Sequence, residues 1–271
     1  VRAFRRAEDD ARTFRFKLYL RGAAAPLAEV LPILERMGLK ALIEDGFRLS
    51  IYELDGPHSV WVHEFVLDDP AGEHIVFDEI RQAFEDAFIA IWTGLAENDG
   101  FNRLVLATGL SWRQVSMLRG YCKYLLQTGV PFSQAYVEGT FNRYPLLARL
   151  IVELFEARFD PAPATDKATA DAQLAQFKAL AGGDAATIKL LEGVVKARGG
   201  NRDARMALVH DTLVKLLDGV SSLDEDRILR SFIGVIEATL RTSYYLVRKD
   251  GVRADGGPAD YISFKFDAAK V

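Results

Sequence analysis

Only one cysteine, Cys122, stands among the 271 residues, so the chain cannot close a disulfide on itself, and a fold stapled by cross-links is excluded. That usage fits a reducing, cytoplasmic setting. No apolar run approaches the roughly 18 to 20 residues of a membrane-spanning helix. The opening stretch Val1-Arg-Ala-Phe-Arg-Arg-Ala-Glu-Asp-Asp10 is too charged for a secretory signal, so no membrane partner is expected. An excess of basic residues is also missing. The net charge is −4 and the isoelectric point about 5.7, whereas a nucleic-acid clamp gathers Lys and Arg on one face and is basic overall. Phosphate-cradling motifs are absent too: there is no G-x-G-x-x-G and no Gly-Lys pair from which a P-loop could be built.

What the chain has is apolar content of 49%, enough for cores in two ordinary domains at this length. The first part carries β periodicity. Phe14, Phe16, Leu18 and Leu20 alternate with Arg15, Lys17 and Tyr19, which predicts a strand wet on one face. Beyond Gly22 to Ala25, Pro26 suits a first helical turn, and Leu27, Val30, Leu31 and Leu34 follow at helical spacing up to Gly38. Pro32 inside that pattern predicts a kink or a late start. Two extended segments come next, 39–54 broken near Asp45-Gly46, and 59–67, joined by Asp55-Gly56-Pro57. Phe77, Ile80, Phe84, Ala87, Phe88, Ile91 and Leu95 then mark an amphipathic helix. The order strand, helix, strand, strand, helix predicts an α+β fold: a small antiparallel sheet with its helices on one face, over residues 1–98.

From about Glu97 helical signals take over, which predicts a mainly α-helical domain over 99–271. Ser111 with Gln114 and Ser222 with Glu225 have the form of capping boxes. Val115, Leu118, Cys122 and Leu125 make a stripe ending at Gly129, and Pro145 opens a helix reaching Phe155. The Ala-rich stretch 164–180 has few core-facing residues and is expected to be exposed or mobile. Helices are expected over 188–195 and 206–217. The strongest follows Ser222, with acids at its start and the i,i+4 pairs Asp226/Arg230 and Glu237/Arg241. The last residues, Tyr261-Ile-Ser-Phe-Lys-Phe266, read as a strand begun and soon ended, and Val1 is no initiator methionine. Both ends are therefore expected to be internal to a longer polypeptide.

Each residue that could carry chemistry has a plainer reading. His63-Glu64 lacks the second histidine of a zinc helix, with Leu67 in its place, and the local period is two; His63 is expected on a sheet face, His58 and His74 in loops. His210 and Asp211 are neighbours on a helix and point apart. Cys122 falls on an apolar stripe and reads as a small buried hydrophobe. The glycine pairs 182–183 and 199–200 lie between helices and read as helix stops. Tyr121, Tyr124, Phe132, Tyr136, Phe141 and Tyr144 read as core and interface rather than a stacking platform, and Tyr244-Tyr245 as core or contact surface. The residues by themselves define no catalytic, cofactor-binding or metal site.

Four stretches resemble the long-subunit bacterial NAD-dependent glutamate dehydrogenases. They are 30–39 (VLPILERMGL), 121–136 (YCKYLLQTGVPFSQAY), 223–232 (LDEDRILRSF) with 237–245 (EATLRTSYY), and 261–266 (YISFKF). The resemblance implies a position just ahead of the catalytic domains, with an ACT-like βαββα module followed by a helical region. It implies a parent oxidoreductase that uses NAD to convert glutamate to 2-oxoglutarate and ammonium, with no catalytic residue carried over to this stretch. Partners implied are the catalytic domains of the same chain and further copies in a homo-oligomer. An amino-acid effector is a second implication, since ACT modules often bind amino acids near the loop after their first strand, here Arg21 to Ala25.

Overall fold

A computed structural model describes residues 1–53, 56–70, 77–163, 166–247, 261–267, 269 and 270. The chain divides into two compact units, Val1–Ser116 and Met117–Val271, and the fold is α+β.

In the first unit, β1 (Arg2–Phe4), β2 (Thr13–Arg21), β3 (Lys40–Glu53) and β4 (Gly56–Asp68) form one antiparallel sheet in the order β1-β2-β4-β3. Helices α1 (Leu27–Arg36) and α2 (Phe77–Trp92) follow β2 and β4 in sequence. The alternation in β2 does what its period implies: Phe14, Phe16 and Leu18 are buried, and register carries that face across to Leu67, Phe65 and His63 of β4. Phe84 of α2 meets Phe14 and Phe16 edge to face, with ring centroids 5.3 and 5.2 Å apart, and Phe88 lies 4.6 Å from Phe16. Leu95, assigned to the same stripe, lies beyond the helix end and is exposed.

Sequence periodicity missed β1. Its three residues carry no pattern, and only pairing with β2 (Ala3 opposite Phe16) and a buried hydrogen bond from the Ala3 N–H to Glu85 Oε1 of α2, 2.7 Å, make it a strand. It occupies the sheet edge beside β2. The expected break at Asp45-Gly46 does not occur: β3 runs through, Asp45 pairing Glu64 and Gly46 pairing His63. The irregularity is a register shift between Ala41 and Ile43, a bulge that a sequence pattern does not announce. Of the expected turn Asp55-Gly56-Pro57, Gly56 and Pro57 already belong to β4, opposite Glu53 and Tyr52, and residue 55 lies outside the described residues. Pro32 sits inside α1, which nevertheless runs from Leu27 to Arg36, with Gly38 at φ 88° beyond its end.

The first unit also holds α3 (Arg103–Thr108); the second contains most of α4 (Trp112–Gln127), then α5 (Gln134–Arg143), α6 (Pro145–Phe159), α7 (Lys167–Leu180), α8 (Ala185–Lys196), α9 (Arg202–Leu217), α10 (Leu223–Ala238), β5 (Thr239–Thr242) and β6 (Phe264–Phe266). Helix α6 is the centre. Ten of its residues are buried, from Leu147 to Ala157, so it is covered almost all round, the condition of a helix inside a bundle. The Ala-rich stretch is largely exposed, as its few core-facing residues imply: 167–180 is α7, in which only Phe177, fully buried, and Gln173 reach the interior. One aromatic ring at the right phase supplies the anchor that average apolarity understates. Residues 164–165 lie outside the described set.

The capping predictions divide. At Ser111 the box closes both ways, with the Ser111 N–H donating to Gln114 Oε1 (2.8 Å) and the Gln114 N–H donating to Ser111 Oγ (3.3 Å). At Ser222 the hydroxyl accepts from the Glu225 N–H, but the Glu225 carboxylate turns instead to Arg143 and the Tyr144 hydroxyl of other helices. The Asp226–Arg230 pair forms at 2.9 Å. The Glu237–Arg241 pair does not form among the described residues, because α10 stops at Ala238 and Arg241 already belongs to β5. The closing strand finds its partner earlier in the chain: β6 pairs antiparallel with β5, the first residue of which follows α10 directly.

Candidate functional site

His63 is the polar residue most deeply set in the sheet, 5% exposed on its buried face. Its Nδ1 lies 2.7 Å from Glu44 Oε1 of β3, and its Nε2 accepts the Ala25 N–H at 3.1 Å. Because Nε2 is an acceptor, the proton sits on Nδ1 and is donated to the carboxylate, which fixes the neutral tautomer. Glu44, His63 and Ala25 therefore form a chain that pins the end of the Arg21–Ala25 loop to the sheet, while Gly22, at φ 90°, donates its N–H to Ser59 O (2.9 Å). One ring nitrogen holds the loop and the other is bonded to the neighbouring strand. The only signal for this in sequence was that period-two placement put a histidine on the inner face.

The other candidates are scattered. His58 belongs to β4, where it pairs Ile51, rather than to a loop; His74 lies outside the described residues. His210, on α9, is 3.6 Å from Asp211 and 3.7 Å from Glu237 of α10, and all three are substantially exposed. Cys122 is buried beside a cavity of about 10 Å³ that Leu125, Val137, Ile228 and Phe232 also line. A space of that size holds at most one water, so the thiol is wall rather than nucleophile. The residues after the glycine pairs are helix caps: Asp184 accepts from the Thr187 N–H, and Asn201 from the Asp203 and Ala204 N–H groups. Among the described residues no three His, Cys, Asp or Glu side chains converge as metal ligands, and no helix is long and apolar enough to cross a membrane.

The aromatic residues build core. Tyr121 is fully buried, stacks on Phe264 of β6 at 4.3 Å, and its hydroxyl lies 3.0 Å from Thr239 Oγ1. Thr239 itself donates to Val235 O (2.7 Å), which leaves Tyr121 as the donor to Thr239. Burial pushes the Tyr121 hydroxyl well above the ordinary tyrosine range. Tyr124 stacks on Phe266 at 3.9 Å, and Gly120 leaves room for the Phe264 ring, since a Cβ there would stand 2.8 Å from it. Tyr244 packs edge to face on Phe155. Phe132 and the exposed Tyr136 pair with each other.

Sequence reasoning missed a buried charge centre. Glu153, on α6 and 0% exposed, accepts from Arg198 at 3.1 and 2.8 Å, from Arg205 of α9 at 3.2 Å and from Gln173 of α7 at 2.6 Å, with Arg149 3.7 Å away. Burial alone would push this carboxyl up; Arg198, Arg149 and Arg205 together hold it below the usual range. Only Arg149 stands at i,i+4 spacing on the same helix; Gln173, Arg198 and Arg205 come from other parts of the chain, so spacing reveals one pair and not the cluster.

Three family models match in succession. Residues 1–80 match "Glutamate dehydrogenase, ACT3 domain" and 96–161 match "Glutamate dehydrogenase, helical motif 3"; the four-stranded module with its two helices is thus of the ACT class that accompanies these enzymes. Residues 212–271 match "Bacterial NAD-glutamate dehydrogenase, catalytic domain", which places the end of α9, α10, β5 and β6 within that model. NAD-specific glutamate dehydrogenases align along almost the whole chain: the protein of Halomonas elongata at 33% identity over 268 residues, 99% of this chain, that of Mycobacterium tuberculosis at 34% over 92%, and that of Pseudomonas aeruginosa at 34% over 93%. The chain belongs to the bacterial NAD-glutamate dehydrogenase family. It spans 13 to 14% of the length of these relatives.

Proposed function

We propose that this chain is a structural part of an NAD-dependent glutamate dehydrogenase, an oxidoreductase that converts glutamate and NAD to 2-oxoglutarate, ammonium and NADH, and that it supplies shape and contact surface rather than catalytic groups. The observation that carries this reading is the use to which the reactive side chains are put. The His63 nitrogens are taken up by a loop N–H and a strand carboxylate, Cys122 lines an apolar wall, and Glu153 is neutralised by arginines. The ACT-type module is taken as 1–98 and the helical part as 99–271; the family matches ending at 80 and beginning at 96 support a boundary there. In the cytoplasmic parent the chain would lead into the rest of the catalytic part, whose family model already covers 212–271, and join further copies in a homo-oligomer, with NAD bound outside the residues discussed.

The test is direct. The purified chain should give no glutamate-dependent reduction of NAD, while the full-length protein containing it should. Turnover by the chain alone would overturn the assignment of a scaffold role, and an inactive full-length protein would overturn the assignment of the parent.

An amino-acid effector at the Arg21–Ala25 loop is the second reading, supported by the ACT3 match. The geometry gives it less support, because the Ala25 and Gly22 N–H groups that an anion would use already donate to His63 and Ser59.

A further inference from the structure

Away from that loop, an open cleft of about 580 Å³ lies between the end of β1 with the residues following it and the first turns of α2. Its size is that of a small-molecule site. Phe77, buried, and Phe4, half-buried, give it an apolar floor, and Arg5, Arg6, Arg81 and Asp78 surround that floor. Three guanidinium groups against one carboxylate make a local positive site in a chain of net charge −4.

The arginines are not equivalent. Arg5 is fixed before any ligand arrives: its Nε and Nη2 donate to the carbonyls of Thr13 (3.0 Å) and Ala11 (2.9 Å), and its plane lies 5.5 Å above the Phe77 ring. Arg6 bonds Glu64 at 2.9 Å, a carboxylate that also serves Arg15 and Lys17, and lies 3.9 Å from Glu8, so it is already partly engaged. Arg81 makes no hydrogen bond or ion pair with any described residue, although Asp78 stands one turn before it on α2. An arginine fork without an acceptor, beside a second one already oriented, matches a carboxylate held in two-point contact. Inorganic phosphate would satisfy the charge and leave both phenyl rings uncovered. A short dicarboxylate would put one anionic group at Arg81, the other at Arg5 and Arg6, and its methylene spacer over Phe4 and Phe77.

We propose that the β1–α2 cleft binds a small dicarboxylate, with Arg81 as the principal contact. Asp78 on the rim opposes a dianion, so it sets the preference between plain and amino-bearing dicarboxylates: an ammonium group would find its partner there.

Calorimetric titration of the 271-residue chain with glutarate, butyrate and phosphate tests the idea. Glutarate should bind saturably, and butyrate and phosphate more weakly. Arg81→Gln should weaken glutarate by at least about tenfold, the worth of a charged hydrogen-bonded pair, with the thermal unfolding midpoint unchanged because Arg81 has no described partner to lose. Asp78→Asn should tighten glutarate and weaken glutamate. No saturable heat with glutarate at millimolar concentration, equal binding of phosphate, or an Arg81→Gln variant that binds as before would each overturn the site. None of these outcomes bears on the scaffold role, which the turnover assay decides separately.

Discussion

The two units solve the problem of an interior in opposite ways. The first keeps its charges out of its core apart from Glu85, which holds β1: that core is a layer of phenylalanines, Phe14, Phe16, Phe65, Phe84 and Phe88, between sheet and helix, while Asp9, Arg15, Lys17 and Glu64 pair on the other face. There burial would push the Glu64 carboxyl up, and Lys17, Arg6 and Arg15 together hold it below its ordinary range in part-buried ion pairs. The second unit places a carboxylate at its centre and surrounds it with arginines from several helices. The first arrangement is non-directional, secured by area removed from water; the second is directional, and holds only while every partner is in place.

This contrast can be broken from either side, because the three tryptophans, Trp61, Trp92 and Trp112, all lie in the first unit, whereas the second is largely helix. Tryptophan fluorescence and far-ultraviolet circular dichroism therefore report different units during denaturant unfolding. The largest effect is expected from Phe16→Ala, which empties the middle of the aromatic layer and should cost about 3 to 5 kcal/mol, moving the fluorescence midpoint. An unchanged midpoint would show that the layer is not what holds the sheet to its helices.

Next comes Glu153→Gln, which leaves Arg149, Arg198 and Arg205 buried around a neutral group, at a cost of about 3 kcal/mol, read in the dichroism transition. The same carboxyl sets a pH dependence. Its folded value lies below the unfolded one, so its stabilisation is complete above the ordinary glutamate range, about 4.3, and is lost as pH falls through the lower folded value. The variant should lack that acid-side loss; if wild type and variant fall together with pH, another group is responsible.

The smallest effect sharpens the comparison within the helical unit. Tyr121→Phe removes one buried hydroxyl donor to Thr239 while keeping the ring on Phe264, and should cost about 1 kcal/mol. A loss as large as that of Glu153→Gln would mean that the junction between α10 and β5 depends on this hydrogen bond more than on packing.

That junction shows where sequence reading reaches its limit. The start of α10 was legible because a cap is local: Ser222 and three acids lie within one turn. Its end was not. The helix pattern continues toward Arg241, yet Thr239 turns to extended backbone at ψ 122°. Its carbonyl is taken by two N–H groups of Arg158 and its hydroxyl meets Tyr121, from helices about a hundred residues earlier in the chain. The candidate site divides likewise. The inner-face position of His63 followed from period two, but its partners Glu44 and Ala25 did not, since they meet only when β3, β4 and the loop are assembled.

The order of the long strands and their helices in the first unit, the buried face of β2, the stripe of α2, the starts of the capped helices and the α+β class were thus settled by the sequence itself, because each rests on residues within a few positions of one another, where period and backbone geometry act directly. The β1 pairing, the uninterrupted course of β3, the anchoring of α7 through Phe177, the Glu153 centre and the arginine-lined cleft were decided only by tertiary structure. Each depends on groups distant in sequence whose interaction exists only after the chain has closed on itself, and no local periodicity encodes which distant partner arrives.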